Sequence, residues 1–200
     1  MSNSRTLIGI LVVVLITGAL GLGLAASDVA WDRLPLRLTA LAVDLGTTWR
    51  IRERPRSNIV EIRITGWSSD TDRQALLNAL DQGPDKLLAA LQEAKPVGTI
   101  RTPDQIGWDL HYAHATSTPD GGRRIFIATD RRIGFWEATN LTRSLDYPFT
   151  LIEIRLDAKG HGEGRMLYAT KISKSRDGGV EIENYSSEPV LLQSVQVQRR

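Results

Sequence analysis

Cysteine is missing from this 200-residue chain, so no disulfide, thiolate metal site or thiol nucleophile is available and packing must supply the stability. Histidine is scarce, with His111, His114 and His161 the whole supply. Neither sign of charge dominates. Twenty-five Lys and Arg stand against 23 Asp and Glu, a formal +2, which speaks against nucleic acid as a partner because phosphate backbones need a clustered excess of positive charge. Absent too are Gly-x-Ser-x-Gly, Ser-x-x-Lys ahead of a helix and His-Glu-x-x-His, although triads assembled from distant residues leave no such local trace.

Only one long hydrophobic run exists. Leu7 to Ala26, LIGILVVVLITGALGLGLAA, carries no charge, and its twenty residues as a helix would rise about 30 Å, enough to cross a bilayer. The same run fits a secretory signal, with a polar start that includes Arg5, an apolar middle and small residues at Gly23 and Ala25 where cleavage would fall. Glycines at 18, 21 and 23 weaken its second half as a helix. Removable signal and retained anchor both stay open. Under either, Arg5 stays cytoplasmic and residues 27 to 200 are translocated, so the expected location is periplasmic or secreted, or tethered to the inner membrane through residues 7 to 26.

The remainder is a usual single-domain length, enough for one core. Residues 27 to 57 read as an approach segment with one or two short strands and a turn near Gly46. Its distinctive part is Trp49-Arg50-Ile51-Arg52-Glu53-Arg54-Pro55-Arg56. An extended backbone points alternate side chains the same way, so Arg50, Arg52, Arg54 and Arg56 would form a positive stripe. Contact with anionic lipid, polyanionic glycan or an acidic envelope protein is the functional reading; a solvated strand face ended by Pro55 is the plainer one.

From Asn58 the pattern sharpens. Val60, Ile62 and Ile64 alternate with polar residues as a half-buried strand ending at Gly66. Ser68, Ser69 and Asp70 offer caps to a helix at about 71–81, and Gly83-Pro84 separates it from a second at about 84–94. Leu76, Leu77 and Leu80 recur eleven residues later as Leu87, Leu88 and Leu91, which predicts two amphipathic helices lying on a sheet. Strands are expected at 97–101, 107–115, 123–129, 132–138, 149–157, 165–174, 180–185 and 190–197, separated by turns such as Pro119 to Gly122 and Asp157 to Gly164. The hairpin of 151–156 with 165–171 is the clearest. The fold class is therefore mainly β within α+β, an antiparallel β-sandwich or partly closed barrel with two short helices on one face or end. The domain proper is placed at 58–200.

Three runs, ITGWSSDTDRQALLNAL, RRIFIATDRRIGFWEA and DYPFTLIEIRLDAKGHGEG, resemble a group of bacterial exported proteins to which no activity is assigned. The resemblance spans residues 58 to 197. It implies export and a shared fold, and it carries over no catalytic residue. Residues 27 to 57 lie outside it, leaving the arginine stripe without its support.

Few residues are equipped for chemistry. Asp109 and His111 would share a strand face, and with His161 and Glu163 brought close they would form an acid-base pair or a four-residue zinc site. No metal spacing motif supports that grouping, and no metal or cofactor is expected. Gly160-His161-Gly162-Glu163-Gly164 invites a phosphate-loop reading, but strand pattern rather than a helix follows it, so a glycine-rich hairpin loop is expected. Five tryptophans, at 31, 49, 67, 108 and 136, either anchor the core or bind sugars and lipid surfaces, with Trp31 nearest the hydrophobic run. The expectation is an exported, non-catalytic binding or accessory module of the cell envelope. A metal-dependent or acid-base hydrolase and a membrane-anchored structural subunit are the alternatives, the last with membrane contact through residues 7 to 26.

Overall fold

The computed structural model describes residues 29–31, 33–45, 56–131, 133, 148–174, 180–184 and 188–198. Leu7 to Ala26, Trp49 and the arginines at 50, 52 and 54 lie outside the described residues, as do Trp136 and most of the strand expected at 132–138. No helix among the described residues is long and apolar enough to cross a membrane. The described elements run β1 (Leu36–Asp44), β2 (Arg56–Ile64), α1 (Asp70–Asp81), α2 (Pro84–Glu93), β3 (Gly98–Arg101), β4 (Trp108–Leu110), β5 (Tyr112–Ser117), β6 (Arg123–Thr129), β7 (Phe149–Leu156), β8 (His161–Lys174), β9 (Val180–Asn184) and β10 (Val190–Val197).

All ten strands join one antiparallel sheet in the order β4-β3-β2-β1-β10-β8-β7-β6-β5, with β9 paired to β8 off that path. The protein is a mainly β, α+β fold, sandwich-like, and the sheet is not closed into a barrel. Its two ends nonetheless belong to one stretch of chain: β4 and β5 are separated by His111 alone. The strand expected at 107–115 is thus interrupted there, because its first half pairs with β3 and its second with β6. The Val97 amide donates to the Leu110 carbonyl at 2.7 Å and the His111 amide to the Ala128 carbonyl at 3.2 Å, so each ladder continues up to the break.

The sheet must curl for its ends to meet, and the concave side is filled. Leu38, Ile62, Ile64, Ile100, Leu110, Ile125, Ile127 and Ile154 are among the fully buried side chains of that core. Alternation selects them: in β2, Val60, Ile62 and Ile64 face in while Arg63 points out. Leu36–Asp44, part of the approach segment in sequence, is the strand between β2 and β10, and Leu36, Leu38, Ala40 and Ala42 enter the core from it. Trp31, Trp67 and Trp108 pack half-buried against the same core.

The helices begin and end where their caps require. Ser69 Oγ accepts from the Asp72 amide at 3.1 Å while Asp72 Oδ2 accepts from the Ser69 amide at 2.8 Å, a reciprocal capping box that starts α1. Gly83, at φ 120°, takes a conformation closed to other residues, and Pro84 opens α2 at its first turn. Ser68 fastens the pair to the sheet: its amide donates to the Ala113 carbonyl at 2.8 Å and its hydroxyl accepts from the Ala113 amide at 3.1 Å. That places both helices over β5 to β8, on the face away from the large core, where Leu80, Leu87 and Leu91 bury against Tyr112, Phe149 and Leu151.

The hairpin of β7 and β8 forms with Leu151 opposite Leu167 and Leu156 opposite Gly162. Its turn is shorter than the sequence suggests. Asp157 Oδ1 accepts from the Lys159 and His161 amides, each at 2.9 Å, and Gly160 sits at φ 82°, so four residues reverse the chain and β8 already begins at His161. Gly162 and Gly164 are strand residues rather than loop residues, because the backbone of β7 passes too close for side chains. A Cβ on Gly162 would collide with the Arg155 carbonyl oxygen, whereas one on Gly66 would meet nothing within 4 Å. Gly162→Ala is expected to destabilise the fold by about 1–3 kcal/mol and Gly66→Ala to stay within about 0.5 kcal/mol of wild type. Urea unfolding midpoints check both, and equal effects at the two positions would contradict the tight strand contact.

Candidate functional site

The four residues offered by sequence for acid-base or metal chemistry take separate places. Asp109 is exposed on β4 opposite Thr99. His111 fills the break between β4 and β5, where Nδ1 lies 2.9 Å from the Ala94 carbonyl oxygen and Nε2 lies 3.4 Å from Asp130 Oδ1. Nδ1 must donate in the first contact, since a carbonyl only accepts. The ring thereby ties the end of α2 to the end of β6. His161 and Glu163 are exposed on β8, paired with Gln196 and Arg155. Among the described residues no group of three or more acidic or imidazole side chains is placed to hold a metal ion.

Of the residues offered for binding, Arg56 is exposed at the start of β2 opposite Asp44. Trp31 is half-buried, with the Arg123 guanidinium 5.4 Å from its ring centroid. Such a cation over an indole face is a stable packing contact.

A cleft lies elsewhere, between the helix pair and the outer face of β5 to β8. There the structure forms a partly open cavity of about 570 Å³, within the range of small-molecule sites. Alternation builds its floor. Tyr112, His114 and Thr116 project from β5, opposite Ala128, Phe126 and Arg124 of β6. Phe149 and Leu151 of β7, Ile172 of β8 and Ile182 of β9 extend the floor, and Leu76, Leu77, Leu80, Leu87 and Leu91 form the roof. Polarity is graded along the strands: the register puts His114, Thr116 and Arg124 at one end and Phe149, Ile172 and Ile182 at the other, and Asp70 and Arg73 line the cavity from the first turns of α1.

No family model, curated protein or solved structure matches this chain.

Charges at the polar end are unequally matched. Arg124 Nε donates to Glu153 Oε1 at 2.7 Å, and Arg155 donates to the same oxygen at 3.0 Å, so one carboxylate serves two guanidinium groups. Burial opposes ionisation of Glu153, yet Arg155 and Arg124 outweigh it and hold the carboxyl below its usual range. Arg73 is exposed on the first turns of α1 and makes no side-chain ion pair among the described residues. Tyr112 is 8% exposed, its ring stacked 6.4 Å from that of His114.

Sequence reasoning had assigned the leucines to a helix–sheet core and passed over Arg73, Tyr112, His114 and Arg124. Their common signal is present in the sequence: Tyr112, His114 and Thr116 alternate on β5 as Arg124, Phe126 and Ala128 do on β6. What it could not supply is the gap between the two layers.

Burial pushes the Tyr112 phenol above its ordinary value; the Arg73 charge opposes that rise, and Asp70 and Asp72 reinforce it. A raised acid favours the neutral form in the folded state, so its contribution to stability is fully present below the unfolded value near 10 and is lost as pH rises through the folded value. A spectrophotometric titration of wild type minus Tyr112→Phe is expected to isolate one phenol ionising later than free tyrosine. A difference spectrum centred at the free value would place this hydroxyl in bulk water.

Proposed function

We propose that the chain is an exported binding module of the cell envelope, and that it takes an apolar small molecule into the cavity between the helix pair and the sheet. The cavity carries this reading. Aliphatic and aromatic side chains line most of it and the polar residues are fewer, and concave, mostly apolar sites with a few polar groups are the usual form of a small-molecule site. Supporting the envelope location are the uncharged run Leu7 to Ala26 and the resemblance of residues 58 to 197 to exported proteins. Lipid-derived molecules are the apolar ligands nearest to hand in that setting.

Transport, storage or presentation of such a ligand needs no group that transfers protons or electrons. His111, the most enclosed of the sequence candidates for chemistry, has both ring nitrogens directed at protein oxygens.

Decanol serves as a neutral probe. At about 100 times its dissociation constant it is expected to raise the thermal midpoint of the full chain, held in an amphipathic polymer to avoid detergent tails, by about 5 °C or more. Leu76→Trp, which places an indole in the roof, should abolish that rise while leaving the far-ultraviolet circular dichroism unchanged. A Leu76→Trp protein that keeps the full rise would move the binding site elsewhere.

A further inference from the structure

We infer that the domain sits end-on on a bilayer, tethered by the run Leu7 to Ala26 in the hydrocarbon and turning Trp31, Arg33, Arg37 and Lys159 to the lipid head groups. The inference stands independently of the cavity. It assigns an interaction surface to the end of the sheet formed by the β7–β8 turn and the last residues of β10.

The attachment of Val29 carries it. Only Ser27 and Asp28 separate Val29 from the uncharged run, and the three backbone steps from Ala26 reach at most about 11 Å. Val29 is already part of the fold. Its amide donates to the Ala158 carbonyl at 3.1 Å in the turn between β7 and β8, and its side chain packs over Gly160, where a Cβ would lie 2.7 Å from Val29 Cγ2 and 2.9 Å from Val197. The Val197 amide donates to the Gly160 carbonyl at 2.9 Å and the Gln198 amide to the Arg37 carbonyl at 2.8 Å, which joins the turn to β10 and to β1. A run long enough to cross a bilayer thus delivers the chain to one end of the sheet, with too little slack for the domain to turn that end away.

The residues gathered at this end suit head groups. Trp31 is half-buried with the Arg123 guanidinium over its ring, and Leu34 close by is 36% exposed. Indoles with apolar and basic neighbours are the usual residents of a bilayer interface. Arg33, Arg37 and Lys159 are exposed, and none makes a side-chain ion pair among the described residues; Arg199 and Arg200 follow Gln198 in sequence. Acids are present as well. Asp157 Oδ1 is occupied by the Lys159 and His161 amides, Asp120 is exposed on the neighbouring turn, and Asp28 and Asp32 adjoin Val29 and Trp31 in sequence. With Arg123 counted, six basic residues stand against these four acids, an excess that anionic head groups attract within a Debye length of the surface.

A chain without cysteine takes a single label cleanly. Ala158→Cys and Lys174→Cys, each carrying bimane, report the two ends of the β7–β8 hairpin in the full chain reconstituted into vesicles with a nitroxide on the lipid head group. The 14 residues of β8 hold position 174 about 40 Å from the turn, so quenching at 158 is expected to exceed that at 174 at least about threefold. Phosphatidylglycerol added to phosphatidylcholine vesicles should deepen the quenching at 158. Arg33→Glu with Arg37→Glu, both at exposed positions, should remove that gain and leave the urea unfolding midpoint near wild type. Mass spectrometry of the chain extracted from its own membrane is expected to find Leu7 to Ala26 in place.

Equal quenching at 158 and 174 would overturn the end-on placement. Quenching at 158 that ignores phosphatidylglycerol would overturn the head-group contact and leave a bare tether. A gain that survives the double reversal would remove Arg33 and Arg37 from the surface. A mature chain that begins at or past Ala26 would overturn the inference as a whole.

Discussion

The run Trp108–Ser117 serves both ends of one sheet, and the curl of the whole domain depends on it. A twisted sheet left open would expose one face or need a second layer to cover it. Here one length of chain pairs with β3 and, past a single interrupting residue, with β6, so the sheet has to fold back over its own apolar face. His111 occupies the interruption and faces the end of α2 and Asp130. The residue that sequence offers for catalysis therefore stands at the junction of three elements.

Curling has a second effect on the strands near that junction. β5 to β8 are covered on one side by the large core and, over part of their length, on the other by the helices, so both faces of their alternation are apolar where the helices lie. In β7, Ile152 and Ile154 face the large core while Phe149 and Leu151 face the helices. A strand buried on both faces reads as a continuous apolar run, and FTLI at the start of β7 is such a run. Where the helices do not fill the space above this layer, the floor of the cavity is a strand surface already rich in large side chains. Ser68, bonded to both backbone groups of Ala113, sets where the helix pair begins and so where that unfilled space falls.

Much of the fold was legible in the sequence because it is written in local rules. Gly83-Pro84 and the serines before α1 placed two helices to within a residue, alternation in 60–64 placed a strand with the correct side inward, and the strand expected at 149–157 forms at Phe149–Leu156. Turn chemistry was less dependable. Three glycines in GHGEG suggested a loop, but two of them serve close strand contact, and only the opposing backbone of β7 reveals which use applies. The break at His111 was equally hidden, since both halves of 107–115 have strand character and the change of partner is a tertiary event. The candidate site was the least legible part. Apolar stripes on helices and strands announce that two surfaces meet, and they do not say how completely one fills the other. Arg73 and Arg124, ordinary surface charges in sequence, gain meaning only from lining that gap.

The position of β1 bears on how such a chain comes to be folded at all. It lies between β2 and β10, so one of its edges is matched by the next described strand and the other only by β10, about 150 residues further on. Contacts of that sequence separation carry a large loop-closure cost and form late. Until β10 docks, one edge of β1 remains unpaired and the large core, to which Val190, Leu192 and Val195 contribute, is not sealed.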